Sequence, residues 1–314
     1  MLRRRTTHHL HRWLVRLGGM ALLASTLLLA GCQATLFAGL NATDQHHNIT
    51  QQHGIVFDPQ HDLALDTYAP AHAEHAPVVV FFYGGSWTHG ERAWYRFVGT
   101  ALAARGVVVV IPDYRKVPGV RLDGFMQDAA SAVAWAHDHA AELGGAPDDV
   151  FVMGHSAGGQ IAALLATDPS WLGLHGLRPA ELAGFIGLAG CYAFVPITDA
   201  RDQDMRDAFG NSVAQQRRAE PVSHVRGAEP PMLLLHGIDD DEVPPSNAIA
   251  LDQALRSHGE DVTLRLYPGL GHESLLFGFS RPLRGDAPTL LDVLDFIQDH
   301  PAARPLVQQH APAP

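Results

Sequence analysis

The chain has 314 residues, of which 46% are hydrophobic and 18% charged, and its formal charge at pH 7 is −11. This length and composition suit one large globular domain with a well-formed core, and they exclude a largely disordered chain. No segment recurs at a fixed period of roughly 20 to 50 residues, which excludes solenoids and propellers. The acidic balance argues against a nucleic-acid partner.

The first 31 residues have the organisation of an export signal. Five arginines and no acidic residue precede the apolar run "LGGMALLASTLLLAGC". The last four letters of that run, "LAGC", resemble the bacterial lipobox, in which the cysteine, here Cys32, becomes the lipidated N-terminus of the mature protein. The alternatives are an uncleaved membrane anchor and an ordinary signal peptide. Because Gln33 and not Asp follows Cys32, the resemblance implies a lipid-anchored protein of the cell envelope, at the outer membrane.

Removal of residues 1–31 leaves 17 basic and 33 acidic residues, a formal charge of −16. Nucleic acid is therefore an even less suitable partner for the mature chain. The export route permits disulfides, but a lipid on Cys32 leaves Cys191 alone, so no intrachain bridge is expected. Cys191 lies in the apolar segment "FIGLAGCYAF" and is predicted to be a buried thiol.

Strand and helix patterns alternate along residues 49–300, after a polar segment, residues 32–48, that is predicted to be a tether between lipid and domain. "ITQQHGIVF" and "LALDTY" predict an opening β-hairpin. "PVVVFFY" and "GVVVVIP" are continuous β-branched runs, typical of strands that are buried on both faces. Such strands need helices above and below, and "AWYRFVGTALAARG" and "GFMQDAASAVAWAHDHAAELGG" have the spacing to provide them.

The same alternation continues to His300. Strands are predicted at "DVFVM", "LAGFIGLA", "PPMLLLHG" and "VTLRLYPG", and helices at "QIAALLAT", "SNAIALDQALRSHG" and "TLLDVLDFIQDH". The pattern predicts an α/β fold with a mainly parallel central sheet and helices on both faces. Residues 195–229 interrupt it and are predicted to be a small cap over the carboxyl edge of the sheet, although a plain surface excursion is the alternative. The Pro-rich residues 301–314 are predicted to be a flexible tail.

The motif "GHSAGG" (154–159) lies between a predicted buried strand and a predicted helix. That is the context of the G-x-S-x-G nucleophile elbow, in which small residues allow a tight turn and leave the serine hydroxyl pointing into the site. Ser156 is therefore the predicted nucleophile. The alternative is a small residue in a glycine-rich loop.

A serine hydroxyl needs a base within hydrogen-bond reach and an acid that orients the base. "LLLHGIDDDEVPPSN" places four acidic residues directly after a predicted strand, and "LYPGLGHESLL" places His272 after the next one. The order Ser, Asp, His is that of α/β-hydrolases. Asp240 is the predicted acid because "HGIDDDEVP" resembles the H-G-x-x-D-x-x-V-P pattern of esterases and related peptidases; Asp239 is the alternative. His236 is predicted to be structural.

An oxyanion hole is predicted in "FFYGGSW" (81–87), at the end of a buried strand. The backbone N–H groups of Gly85 and Ser86, with that of Ala157, can face a tetrahedral oxyanion. Gly84 is predicted to be needed for backbone freedom. The stretch resembles the H-G-G-G-W loop of hormone-sensitive-lipase-like and isoprenylcysteine-methylesterase-like carboxylesterases. Tyr83 stands where that family has a loop-bracing His.

Residues 50–300 as a whole resemble an α/β-hydrolase carboxylesterase. "PDYRKVPG", the elbow region and "YPGLGHESLL" are similar to the branch of isoprenylcysteine methylesterases and feruloyl-esterase-like enzymes, in which the Asp-Tyr-Arg at 113–115 braces the site. The resemblance implies hydrolysis of small to medium carboxylic esters through an acyl-enzyme. Ser156 attacks, His272 transfers the proton and Asp240 orients the imidazole. No cofactor and no metal are expected, and the histidines lack metal-ligand spacing.

Two rival interpretations remain. A prolyl-oligopeptidase-like serine peptidase has similar motifs, but no propeller domain precedes this one. A non-catalytic surface binding protein on a hydrolase scaffold is the other, because a fold does not fix a function.

Overall fold

The computed structural model describes residues 34–43 and 48–301. Cys32, the export signal and residues 302–314 lie outside the described residues. Residues 34–43 differ from the predicted tether, because they form a helix, α1, that packs on the domain through Phe37 and Leu40. The sequence pattern missed this helix because only two of its side chains are buried, which is too few for a recognisable apolar stripe.

One eight-stranded sheet organises the domain, in the order β1-β2-β4-β3-β5-β6-β7-β8. β1 and β2 form the predicted antiparallel hairpin, β2 also pairs antiparallel with β4, and the remaining pairs are parallel. The strands are β1 (Ile49–Asp58), β2 (Leu63–Pro70), β3 (Ala76–Phe82), β4 (Val108–Pro112), β5 (Gly145–His155), β6 (Gly184–Leu188), β7 (Met232–Gly237) and β8 (Val262–Tyr267). The predicted mainly parallel sheet is confirmed.

Helices cover both faces of the sheet. They are α2 (Arg96–Ala103), α3 (Leu122–His139), α4 (Ala157–Thr167), α5 (Pro169–Leu172), α6 (Gln203–Phe209), α7 (Val213–Ala219), α8 (Ser246–Ser257), α9 (Ser274–Phe277) and α10 (Thr289–Asp299). α3 packs on α4, and α2 packs on α10. None of the helices in the described ranges is long and apolar enough to cross a bilayer.

The strand order places a topological switch point between β3 and β5. From β3 the chain crosses through α2 to β4 on one side, and from β4 it crosses through α3 back over β3 to β5 on the other. Because parallel crossovers are right-handed, these opposite directions put α2 and α3 on opposite faces of the sheet. The carboxyl ends of β3 and β5 therefore bound a crevice, which is where open α/β sheets bind ligands.

The predicted cap segment holds α6 and α7, followed by a single 3-10 turn, Pro221–His224. Its backbone is tied down by buried polar side chains. The Glu220 carboxylate accepts the N–H groups of Phe194 and Val195, each at 2.7 Å, and Gln216 accepts that of Ile197 at 3.0 Å. These contacts tie the segment to the loop that follows the carboxyl end of β6.

Candidate active site

Ser156 occupies a sharp turn between β5 and α4. Its backbone is at φ 55° and ψ −121°, an unusual conformation for a residue with a Cβ. A Cβ at Gly154 would lie 2.1 Å from the Gly158 oxygen, and one at Gly158 would lie 2.1 Å from the Phe82 oxygen. Strand, turn and helix therefore approach as closely as the elbow interpretation requires. Strain of this kind persists only where the surroundings enforce it, and it concentrates at functional sites.

The predicted acid and base meet at the same edge of the sheet. His272 Nδ1 lies 2.8 Å from Asp240 Oδ2, and both side chains are buried. The other carboxylate oxygen of Asp240 accepts the backbone N–H groups of Glu242 at 3.1 Å and Val243 at 2.8 Å. Asp239, the alternative acid, is exposed. The structure thus joins Asp240, and not its neighbour, to His272.

His236 also contacts this carboxylate. Its Nε2 lies 3.2 Å from Asp240 Oδ2 and 2.8 Å from the Val243 carbonyl oxygen. Burial by itself would raise the pKa of the Asp240 carboxyl, but hydrogen bonds from His236, His272 and the Val243 N–H together hold it well below its ordinary value. Asp240 is therefore a permanent anion that fixes the His272 Nδ1–H and leaves Nε2 free to accept a proton.

The electrostatics of His272 suit a base that must become cationic during reaction. Burial lowers the pKa of its imidazole, but the hydrogen bond and charge of Asp240, with the charges of Glu242 and Glu273, more than offset this, so that the pKa lies above its ordinary value. In the described part of the chain, Ser156 Oγ has no hydrogen-bond partner. Contacts between nucleophile and base are often long before substrate binds.

His155, the variable residue of the elbow motif, contacts His272. It donates a hydrogen bond from Nε2 to the His272 carbonyl oxygen at 3.1 Å, and the two rings lie 4.8 Å apart. Burial and the adjacent His272 lower the pKa of His155 to about 3, so it stays neutral. Sequence reasoning missed this role, because the motif accepts any residue at that position.

The loop after β3 holds the predicted oxyanion donors. Gly85, Ser86 and Trp87 all have positive φ, at 125°, 48° and 57°. Within the described ranges, no acceptor pairs with the N–H groups of Gly85, Ser86 or Ala157, so all three remain available to a ligand. The loop begins beside the elbow, because Gly84 lies against Ser156.

Gly84 corrects one prediction, since its φ is not in the left-handed region and backbone freedom is not what it provides. A Cβ there would lie 3.1 Å from Ser156 Cβ and 3.1 Å from His155 Nδ1. The requirement is therefore close approach between the oxyanion loop and the elbow.

Tyr83 braces this loop from below. Its hydroxyl donates to Asp113 Oδ1 at 2.6 Å, and its ring lies between those of Tyr95, at 5.2 Å, and Tyr114, at 4.9 Å. Burial and the charge of Asp113 raise the pKa of Tyr83 far above its ordinary value, so the hydroxyl keeps its proton. Because that hydroxyl is directed at Asp113, it supports the loop and leaves the oxyanion to backbone groups. Lys116 completes the brace by donating to the Tyr83 hydroxyl at 3.1 Å.

An apolar wall joins the oxyanion loop to the cap. Phe209 of α6 lies edge-on to Trp87 with ring centroids 4.7 Å apart, and Phe194 stacks on Phe209 at 5.2 Å. The Trp87 indole N–H donates to Gln160 at 3.0 Å, and Gln160 in turn donates to the Ala219 carbonyl oxygen at 2.7 Å. The cap is therefore packed on the oxyanion loop through aromatic rings and through Gln160.

Glu242 belongs to the same run of four acidic residues as Asp240, and it approaches His272. One of its carboxylate oxygens lies 4.0 Å from His272 Nε2, and 60% of its side chain remains exposed. Burial of the remainder raises the pKa of this carboxyl. The charge run therefore contributes two residues to the site, one buried and one at its rim.

Two further groups lie outside this chemistry. Cys191 is buried as predicted, and burial raises the pKa of its thiol to about 12. Asp58, His61 and Asp128 bring ligand-type atoms within 4.8 Å of one another, away from the triad residues. The Arg115 guanidinium already binds the Asp128 carboxylate at 2.7 Å, which disfavours a cation there.

Comparisons with known proteins find similar esterases. The family model described as BD-FAE matches residues 65–255. An isoprenylcysteine alpha-carbonyl methylesterase of Arabidopsis thaliana is 28% identical over 256 residues, 76% of this chain and 60% of the relative. Esterase LipC of Mycobacterium tuberculosis is 32% identical over 213 residues, 63% of this chain and 53% of that protein. The chain thus spans little more than half the length of these curated relatives.

Solved structures share the fold. Esterase 2 of Thermogutta terrifontis, phosphonylated by sarin, is 25% identical with a TM-score of 0.69, over 83% of this chain and 98% of that one. Esterase B of Lactobacillus rhamnosis, in a phosphonate-inhibited form, has a TM-score of 0.75 at 21% identity, over 89% and 96% of the two chains.

Proposed function

Because the chain belongs to the BD-FAE family, we propose that it is a serine carboxylesterase that hydrolyses small to medium carboxylic esters through an acyl-enzyme. The observation that carries the proposal is the buried Asp240–His272 pair, whose atoms lie 2.8 Å apart. The pair lies at the same edge of the sheet as the Ser156 turn and the predicted oxyanion donors. No cofactor is needed for this chemistry.

The reaction follows from the arrangement of charges. His272 Nε2 removes the proton of Ser156 Oγ as that oxygen attacks the ester carbonyl, and Asp240 stabilises the imidazolium that forms. The oxyanion accepts hydrogen bonds from Gly85, Ser86 and Ala157. His272 then returns the proton to the alcohol oxygen, which leaves. Water repeats the sequence on the acyl-enzyme and releases the acid.

The aromatic wall formed by Trp87, Phe194 and Phe209 supports a preference for short acyl groups, because the cap segment holds only two seven-residue helices. Solved forms of Thermogutta terrifontis esterase 2 contain propionate or butyrate. We expect kcat/KM to fall from butyrate to palmitate p-nitrophenyl esters without detergent. A rise along that series would contradict the short-acyl preference.

The nucleophile is tested by Ser156→Ala with p-nitrophenyl butyrate. Loss of the hydroxyl should lower kcat by about 10⁴ or more and abolish labelling by a fluorophosphonate. Ser170→Ala, at an exposed serine of α5, is the matched control and should behave as the parent. Retention of a tenth of the parent rate in Ser156→Ala would exclude Ser156 as the nucleophile.

The rival functions give different results in the same assays. A peptidase of the prolyl-oligopeptidase type would cleave a peptide anilide faster than the ester, and a binding protein would hydrolyse neither. The buried pair and the strained serine favour the esterase, because a binding role requires neither feature.

We also propose that Cys32 carries a lipid that anchors the protein to the cell envelope, at the outer membrane. The support is the "LAGC" sequence that ends the export signal. Metabolic labelling with a clickable fatty acid should mark the parent and not Cys32→Ser. Label that persists in Cys32→Ser would exclude this anchor.

A further inference from the structure

The helix α1 lies at the same edge of the domain as the candidate active site. Phe37 packs on Trp94 with ring centroids 5.4 Å apart and on Tyr95 at 5.0 Å, and it contacts Phe277 at 6.5 Å. Trp94 and Tyr95 follow the oxyanion loop, and Phe277 ends the short helix after His272. Phe37 is thus held against two segments that leave the carboxyl edge of the sheet.

Polar contacts fix the other end of α1. Asn41 donates to the carbonyl oxygens of Ala93 at 3.0 Å and Trp94 at 3.2 Å, and it accepts the N–H of Phe97 at 3.0 Å. Arg96 donates to the Asn41 carbonyl oxygen. Because both ends are anchored, α1 is a fixed part of the domain surface and not a mobile leash.

Covalent geometry then limits where a lipid on Cys32 can lie. Two residues of extended chain span at most about 7 Å, and the helix rises about 4.5 Å from residue 34 to Phe37. The anchor is therefore within about 12 Å of Phe37. A compact domain of this length has a radius of gyration of about 18 Å, so its opposite edges are roughly 40 Å apart. The anchor belongs to the active-site edge.

The outer face of α1 suits a membrane interface. Residues 33–43 contain no charged side chain, although the mature chain carries a formal charge of −16. Ala38 and Ala42, one turn apart, are exposed on that face, and Leu36, on the flank of the helix, is 47% exposed. An uncharged helix face next to a lipid anchor can approach lipid headgroups without burying charge.

We infer that the outer face of α1 docks on the bilayer that holds the Cys32 lipid, and that it turns the active-site edge toward the membrane, so that ester substrates are drawn from the lipid–water interface. This inference rests on the anchor and on the esterase activity proposed above. It adds an orientation and a substrate class, namely amphiphilic esters that partition into the membrane.

Orientation is tested with the full chain, processed in cells and incorporated in vesicles of phosphatidylethanolamine and phosphatidylglycerol. A fluorophore is placed on Ala38→Cys or on Leu174→Cys, since Cys191 is buried. Leu174 is 59% exposed beyond the far end of α4, at the amino edge of the sheet. Doxyl-labelled lipid should quench the label at 38 several-fold more than the label at 174. Equal quenching, or stronger quenching at 174, would overturn the inference.

Substrate delivery is tested with Leu36→Glu and its matched control Leu174→Glu. Leu36→Glu should lower several-fold the ratio of hydrolysis of a vesicle-dissolved umbelliferyl heptanoate to hydrolysis of soluble p-nitrophenyl acetate, and the control should keep the parent ratio. An unchanged ratio in Leu36→Glu would refute delivery from the membrane.

The underlying proposals fail in distinguishable ways. A chain that hydrolyses soluble ester but does not float with vesicles lacks the anchor, which also overturns the orientation. A chain that floats with the expected quenching but hydrolyses neither ester has the orientation and lacks the esterase activity.

Discussion

Two loops bound the candidate site, residues 83–90 after β3 and residues 238–243 after β7, and their functional groups are held in place by different kinds of contact. In the second loop, functional geometry resides in a side chain: the Asp240 carboxylate is held directly by His236, His272 and two backbone N–H groups. In the first loop, it depends on backbone N–H groups at positive φ, which are held by turn hydrogen bonds from Thr88 and His89 to the Gly85 carbonyl oxygen and not by contacts of their own side chains. Removing a side chain should therefore abolish the function of one loop and only loosen the other.

The largest effect is expected for Asp240→Asn. The amide presents an N–H where His272 Nδ1–H needs an acceptor, so the wrong tautomer is favoured and the imidazolium loses its partner, at a cost of up to about 10⁴ in kcat. Steady-state kinetics on p-nitrophenyl butyrate measure this cost. Asp239→Asn and Asp241→Asn are the controls. Because both side chains are exposed, they should stay within about tenfold, or about 1.4 kcal/mol. A larger loss of kcat in Asp239→Asn than in Asp240→Asn would show that Asp239, and not Asp240, is the acid that orients His272.

A smaller effect is expected for Tyr83→Phe, which keeps the ring stack and removes the bond to Asp113. Loss of a whole oxyanion donor costs about 10² to 10³ in kcat, so a displaced donor should cost roughly 10- to 100-fold with KM little changed. Affinity for a trifluoromethyl ketone should fall in parallel, because that ligand forms the tetrahedral oxyanion.

The matched control for Tyr83→Phe is Tyr68→Phe. Tyr68 is also buried, and its hydroxyl has no partner among the described residues. If both variants lose kcat equally, or if Tyr83→Phe raises KM alone, the brace does not act on the oxyanion.

The smallest effect is expected at the rim, for Glu242→Gln. Activity requires neutral His272, so kcat/KM falls as pH drops through the pKa of His272, which lies above its ordinary value partly because of Glu242. Removing this charge should move the acid limb of the pH profile to lower pH. The shift should be modest and shrink with added salt, since Glu242 is mostly exposed. A shift to higher pH would contradict the assigned direction.

These loops also differ in how far the sequence predicted them. The elbow, the Asp240 register and His272 follow from short motifs at strand ends, because a parallel sheet brings all carboxyl ends to one edge. The alternation of β-branched runs and helical patterns predicted the sheet, because strands that are buried on both faces consist almost entirely of apolar residues. Such features depend on residues that are close together in the sequence, so they can be recognised in one sequence without a structure.

Contacts between distant segments required the tertiary structure. The bond from His155 to the His272 carbonyl joins residues 117 apart in sequence, and that from Tyr83 to Asp113 joins residues 30 apart. Neither has a local signature, since burial and aim of a polar side chain depend on what the fold places opposite it. The same holds for α1, because its buried Phe37 packs on aromatic rings from the turn before α2, from α2 itself and from α9. The sequence by itself determined which residues are candidates for the proposed chemistry. Tertiary packing decided which of these side chains are held in fixed contacts, and which edge of the domain lies beside α1.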